Sequence, residues 1–120
     1  MSGLTSEEFD SELYAEAKDL MGERFAGLIE KYFSTTNQRV SSIEAALQKT
    51  DTATAGALAH NIKSTSASFG FLFISATAKS IESICRNNNL PDIGALQALC
   101  SQLRTALQKM EHAYKANHLA

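Results

Sequence analysis

Apolar positions recur at threes and fours along most of the chain, the period of helices that turn one face to a core. Phe9, Leu13 and Ala17 predict a short amphipathic helix over about residues 6–18, begun by a Ser6 cap with Glu7 and Glu8 in its first turn. Leu20, Met21, Phe25, Leu28, Ile29, Tyr32, Phe33, Val40, Ile43 and Leu47 continue the stripe over about 20–49, a helix spanning the length of a bundle. Thr35, Thr36 and Asn37 interrupt that stripe without forcing a break. Asp51 or Thr52 caps a third helix over about 52–69, with Ala55, Leu58, Ala59, Ile62 and Phe69 on its apolar side and Gly70 as a left-handed stop. A fourth helix, about 72–86, turns Ile74, Ala78, Ile81, Ile84 and Cys85 inward. The run Asn87-Asn88-Asn89-Leu90-Pro91-Asp92 reads as a loop. Asp92 then opens a fifth helix, about 92–116, carrying Leu96, Leu99, Cys100, Leu103, Leu107, Met110 and Tyr114.

No segment alternates with period two over the length of a strand. Short connections between long amphipathic helices make sequence neighbours antiparallel. The expected fold is therefore all-α: an up-down-up-down four-helix bundle with a short extra N-terminal helix, one domain over residues 1–120.

Composition narrows the class. A hydrophobic content of 44% over 120 residues suffices for one continuous core. No apolar run approaches the roughly 20 residues of a membrane span, and the acidic N-terminus lacks the apolar stretch of a signal peptide. A mostly monomeric cytoplasmic protein is expected. Residues 1–30 hold eight acids against Lys18 and Arg24, while the remainder holds nine bases and five acids. The body is thus mildly basic, which suits a partner with an acidic active site, but it lacks the dense basic patch of a nucleic-acid binder. Cys85 and Cys100, without CxxC spacing, read as reduced, partly buried core residues.

Most enzyme signatures are missing: there is no glycine-rich phosphate loop, GxSxG, HExxH or EF-hand loop. His60, His112 and His118 are scattered and lack the ExxH pairs of a metal-bridging bundle, so no metal or cofactor is expected on this chain. His60 is distinguished by its surroundings. Its neighbours one and two helical turns away are Gly56, Ala57, Lys63, Ser64 and Ala67, all small except the lysine. The imidazole is expected to stand on a shelf of low side chains that leaves room for something bulky. By itself this pattern also describes a surface histidine on a stripe packed against a neighbouring helix.

Residues 59–70 read AHNIKSTSASFG. This string resembles the signature of the histidine-containing phosphotransfer (HPt) domain family, with His60, Lys63, Ser64, Phe69 and Gly70 on the matching positions. The resemblance extends to Ile81-Glu82, which matches the family's hydrophobic-acid pair on the next helix, and to the helix count. One position departs from the pattern: the family usually has glycine where Ser64 stands, giving a partner clearance beside the imidazole.

The resemblance implies a phosphorelay intermediate of two-component signal transduction, not an ATP-binding enzyme. A phospho-aspartate on one response-regulator receiver domain would pass its phosphoryl group to His60, which would hand it to an aspartate on another. The receiver would supply Mg2+ and most of the catalytic groups. An imidazole is substantially neutral and nucleophilic near pH 7, and Lys63, one turn on, would set an ammonium beside the phosphoryl oxygens. Glu82 would either orient the imidazole or Lys63, or be a solvated acid. The same sequence fits a free-standing protein or the HPt portion of a hybrid sensor histidine kinase. The rival reading is a noncatalytic helical adaptor that binds partners through the same shelf and is never phosphorylated.

Overall fold

The computed structural model describes residues 3–87 and 91–119. Among the described residues five α-helices follow in order: α1 (Ser11–Met21), α2 (Phe25–Gln48), α3 (Thr52–Ser68), α4 (Leu72–Asn87) and α5 (Ile93–Lys115). Among the described residues there is no strand, only an isolated antiparallel bridge between Phe9 and Phe71. The bundle is closed by the packed pairs α2–α3, α3–α4, α4–α5 and α2–α5, with α1 laid against α2 and α3. Residues 88–90 of the loop expected before α5 lie outside the described residues. None of the described helices is long and apolar enough to cross a membrane.

Aspartates begin three of the helices. The Asp10 carboxylate accepts from the Glu12 and Leu13 amides, Asp51 from Thr54, and Asp92 from Ala95, each satisfying amides that a helix start leaves without partners. Inside, Ile29, Phe33, Val40, Ile43 and Leu47 of α2 meet Ile62 of α3, Ile74 and Ile81 of α4, and Leu96, Leu103 and Leu107 of α5, all essentially without solvent exposure. The interrupting Thr35-Thr36-Asn37 leaves α2 unbroken, and Asn37 spans to α5 by donating to Glu111 at 3.3 Å. Cys85 and Cys100 are buried free thiols, and burial pushes the Cys100 thiol up to about 11.

The N-terminal expectations need correction. Ser6 caps no helix: Thr5 and Glu8 bond reciprocally around a single turn, Thr5 N–H to Glu8 Oε1 at 3.1 Å and Glu8 N–H to Thr5 Oγ1 at 3.3 Å. The chain cannot continue helically there because its backbone is used elsewhere. Asp10 N–H donates to Gly70 O at 2.8 Å, and Leu72 N–H donates to Glu8 O at 3.0 Å. Segment 8–10 is thereby fastened to the α3–α4 turn, and α1 starts only at Ser11. Leu20 and Met21 close α1 instead of opening α2, and Leu20 is 85% exposed. Gly22, at φ +56°, stops α1, and a 3-10 turn over Gly22–Arg24 leads into Phe25.

The α3–α4 turn itself is built on two residues of the signature. Phe69 packs among Phe25, Tyr32 and Phe71. Gly70 sits at φ +77°, where a Cβ would collide with the Asp10 carbonyl. Glycine is required there both by the left-handed backbone and by the close approach of another strand of chain.

Candidate functional site

His60 lies mid-way along α3, its ring 49% exposed. It faces α4 because the neighbouring positions 59 and 62 are held in the core: Ala59 and Ile62 are fully buried. From α4, Glu82 reaches across with its side chain only 8% exposed, and its Oε2 lies 2.6 Å from His60 Nδ1. The other carboxylate oxygen, Oε1, accepts from Lys63 Nζ at 2.7 Å. Arg86, one turn beyond Glu82 on the same helix, brings NH1 to 3.0 Å from Oε2.

A buried carboxylate is costly unless its lone pairs are taken up by donors. Here three donors from two helices do so. The Lys63 hydrogen bond is the main influence holding Glu82 below the usual carboxylate range, helped by His60 and by the Arg86 charge and opposed by burial. An ionised carboxylate only accepts hydrogen bonds, so Nδ1 of His60 carries the hydrogen. The lone pair of the neutral ring is then on Nε2, on the ring's far side from Glu82.

Two further contacts set the separation of α3 and α4 at this level. Ser75 Oγ of α4 donates to the Lys63 carbonyl at 2.8 Å. Gly56 of α3 is buried, and a Cβ added there would stand 3.1 Å from Cys85 Cβ. This corrects the expectation for Gly56. It does not belong to an open shelf beside His60: its missing side chain lets α4 approach α3, and Arg86 covers it. Ala57, Ser64 and Ala67 are exposed, as the shelf requires. The Ser64 hydroxyl is turned back onto its own helix, donating to the His60 carbonyl at 3.3 Å, so it stands low against the helix surface.

The sequence pattern brought His60, Lys63 and Glu82 into consideration, and all three meet. His112 lies on α5 and His118 beyond its end, on neither of the helices that carry His60, Lys63 and Glu82. Arg86 and Ser75 were not singled out. Arg86 carries a sequence signal, an acid and a base at the i, i+4 spacing of one helix face. Ser75 carries none, since an inward hydroxyl at a helix start looks like any polar position.

The described residues thus form a helical bundle with a half-exposed histidine in contact with a buried acid and a lysine one turn on. The Hpt domain family model matches residues 27–113, covering the four bundle helices nearly in full and leaving out α1, and the chain belongs to that family. It is thus a phosphotransfer-histidine carrier of two-component signalling, not a classical enzyme. In three dimensions it is similar to the crystal structure of histidine-containing phosphotransfer protein B (HptB) from Pseudomonas aeruginosa PAO1, with a TM-score of 0.80 at 19% identity, covering 92% of this chain and 98% of that one. At that identity the likeness is one of fold. No curated protein matches the chain in sequence.

Proposed function

We propose that His60 accepts a phosphoryl group on Nε2 from the phospho-aspartate of one receiver domain and delivers it to the aspartate of another. The observation that carries this reading is the Nδ1 contact to buried Glu82, which supports a single ring orientation with the nucleophilic lone pair outward. Phosphoryl transfer rests on positioning and charge compensation more than on covalent assistance. Lys63 supplies the nearest ammonium on α3, and moving it from Glu82 Oε1 to a phosphoryl oxygen needs only side-chain rotation. The partner receiver contributes Mg2+ and the acidic residues that hold it, and this chain contributes no cofactor.

The receiver would lie over Ala57, Ser64 and Ala67. A groove on the α2–α3 side is lined by Met21, Leu28, Tyr32, Thr65, Ser68 and Phe69 together with the bases Lys31 and Arg39. A largely apolar groove that also carries two bases suits the acidic surface around a receiver's active site. We place the exchange in the cytoplasm, between receivers and one copy of this chain.

The test is incubation with a phosphorylated receiver and detection of acid-labile phosphate on the chain. His60→Gln is expected to abolish acceptance while leaving the melting temperature nearly unchanged, because the ring is half exposed and the glutamine amide can still donate to Glu82, which Lys63 and Arg86 also hold. Undiminished phosphate on the His60→Gln variant would move the site elsewhere. A parent chain that binds receivers without ever taking phosphate would be an adaptor.

A further inference from the structure

Glu82 does more than orient an unloaded ring. When Nε2 attacks phosphorus, its lone pair forms the N–P bond and the P–O bond to the donor's aspartyl oxygen breaks. The bonding pair leaves on the donor carboxylate. The ring now has substituents on both nitrogens, the phosphoryl on Nε2 and hydrogen on Nδ1, and carries a positive charge. In open solution the Nδ1 proton of such a ring is shared with water near neutral pH. In this chain that proton points at Glu82 Oε2 at 2.6 Å, on a carboxylate that is almost wholly buried.

We propose that Glu82 keeps the Nδ1 proton on His60 throughout the phosphorylated state, so that both halves of the relay proceed without exchanging a proton with solvent. The proposal rests on the carrier reading above and concerns how that site holds its cargo. Its consequence follows from leaving-group chemistry. With Nδ1 protonated, cleavage of the N–P bond returns the electron pair to Nε2 and releases a neutral imidazole, a good leaving group. With the proton lost, the same cleavage would release an imidazolide anion, a far poorer one. A retained proton therefore makes phospho-His60 quick to transfer and correspondingly short-lived in water.

Every charged group facing the ring bears on this. Glu82 favours the protonated ring through a direct hydrogen bond. Lys63 and Arg86 oppose it, but both act through Glu82 itself, Lys63 on the other oxygen and Arg86 at 3.0 Å from the shared one. The Cys85 thiol behind Gly56 is held neutral by burial, which raises it above its ordinary range. A phosphoryl group on Nε2 would draw Lys63 toward itself and leave Glu82 freer to serve Nδ1.

The experiment loads the full chain from phosphoramidate, which needs no receiver, and follows phospho-His60 by 15N NMR and by its decay rate as a function of pH. In the parent, Nδ1 is expected to carry its proton at pH 7.5. In Glu82→Gln the pH midpoint for losing that proton should fall by about one to two units, the usual effect of removing an opposite charge in contact. At pH 7.5 the variant's phosphohistidine should then live about 10-fold longer. A parent chain whose phospho-His60 lacks the Nδ1 proton at pH 7.5 overturns the proposal whether or not the variant folds. So does a Glu82→Gln chain with an unshifted midpoint. If His60 takes no phosphate from phosphoramidate or from a receiver, the carrier reading fails and this one falls with it. Phosphate on His60 with an unshifted midpoint removes this inference alone.

Discussion

Gly70→Ala tests whether the fastening of the α3–α4 turn is what holds the helices around His60. Two costs add. A left-handed backbone at φ +77° costs a residue with a Cβ about 1–2 kcal/mol. The new methyl would also collide with the Asp10 carbonyl and lie 3.3 Å from both Leu13 Cβ and Tyr14 N. A backbone oxygen cannot swing aside as a side chain can, so segment 8–10 must retreat. That sacrifices the Asp10-to-Gly70 and Leu72-to-Glu8 hydrogen bonds of 2.8 and 3.0 Å, each worth about 0.5–1.5 kcal/mol. The total is about 2–5 kcal/mol, a fall in melting temperature of roughly 7–20 °C for a chain of this size. Gly27→Ala is the control. Gly27 is a helical glycine with open space around the added methyl, and the change should raise stability by up to about 1 kcal/mol. Thermal melts by circular dichroism measure both, and hydrogen exchange at the Asp10 and Leu72 amides reports the fastening directly. A Gly70→Ala chain that melts within about 2 °C of the parent would refute the reasoning, as would one that melts lower with both amides still protected.

Further expectations concern charge and clearance. Lys63→Ala should slow phosphotransfer by roughly 10- to 1,000-fold, the usual range for one charged contact made at a transferring group, while receiver affinity measured by titration changes much less. Ser64→Gly should be tolerated and Ser64→Leu should block receiver binding with the fold intact; unchanged binding by the leucine variant would mean that no partner approaches this face. Acid should loosen the site: Glu82 is held below its ordinary value of 4.5, so its contribution to stability is complete above that value and is lost as pH falls through the lowered one. Melting temperatures between pH 3 and 7 should therefore fall less steeply toward acid in Glu82→Gln than in the parent, and equal slopes would count against the ionised network.

The parts legible in the sequence were those fixed by period and by local backbone chemistry. The α3, α4 and α5 boundaries follow from aspartate caps and a glycine stop, signals contained within a few residues. The α1–α2 boundary was missed because Leu20 and Met21 continue the apolar spacing while Gly22, which breaks the helix, lies among residues that favour one. The start of α1 was misplaced because Ser6 is as good a cap as Asp10 by type. What decides between them is the pairing of segment 8–10 with residues 70–72, about sixty positions away. At the site, a small residue beside a histidine was read as clearance for a partner. That is consistent with the exposure of Ala57, Ser64 and Ala67, but Gly56 faces α4. Spacing on one helix does not say which of its neighbours is a second helix of the same chain.

The charge count at the site gives a reason for the second cation, Arg86. One carboxylate would balance one base, yet Glu82 holds both Lys63 and Arg86 in addition to the imidazole. With a neutral ring the cluster carries one surplus positive charge, which favours the approach of a phosphorylated acidic surface. A bound phosphoryl group brings close to two negative charges near pH 7. If the ring lost its proton on loading, the cluster would become net negative with a buried carboxylate within it, and burial penalises uncompensated charge. If the ring keeps its proton, the surplus base and the imidazolium together offset the phosphoryl group, and the loaded cluster is near neutral. On the proposed reading the second base and the proton held by Glu82 belong to one arrangement. Each limits the charge the site must carry in the state that the other helps to form.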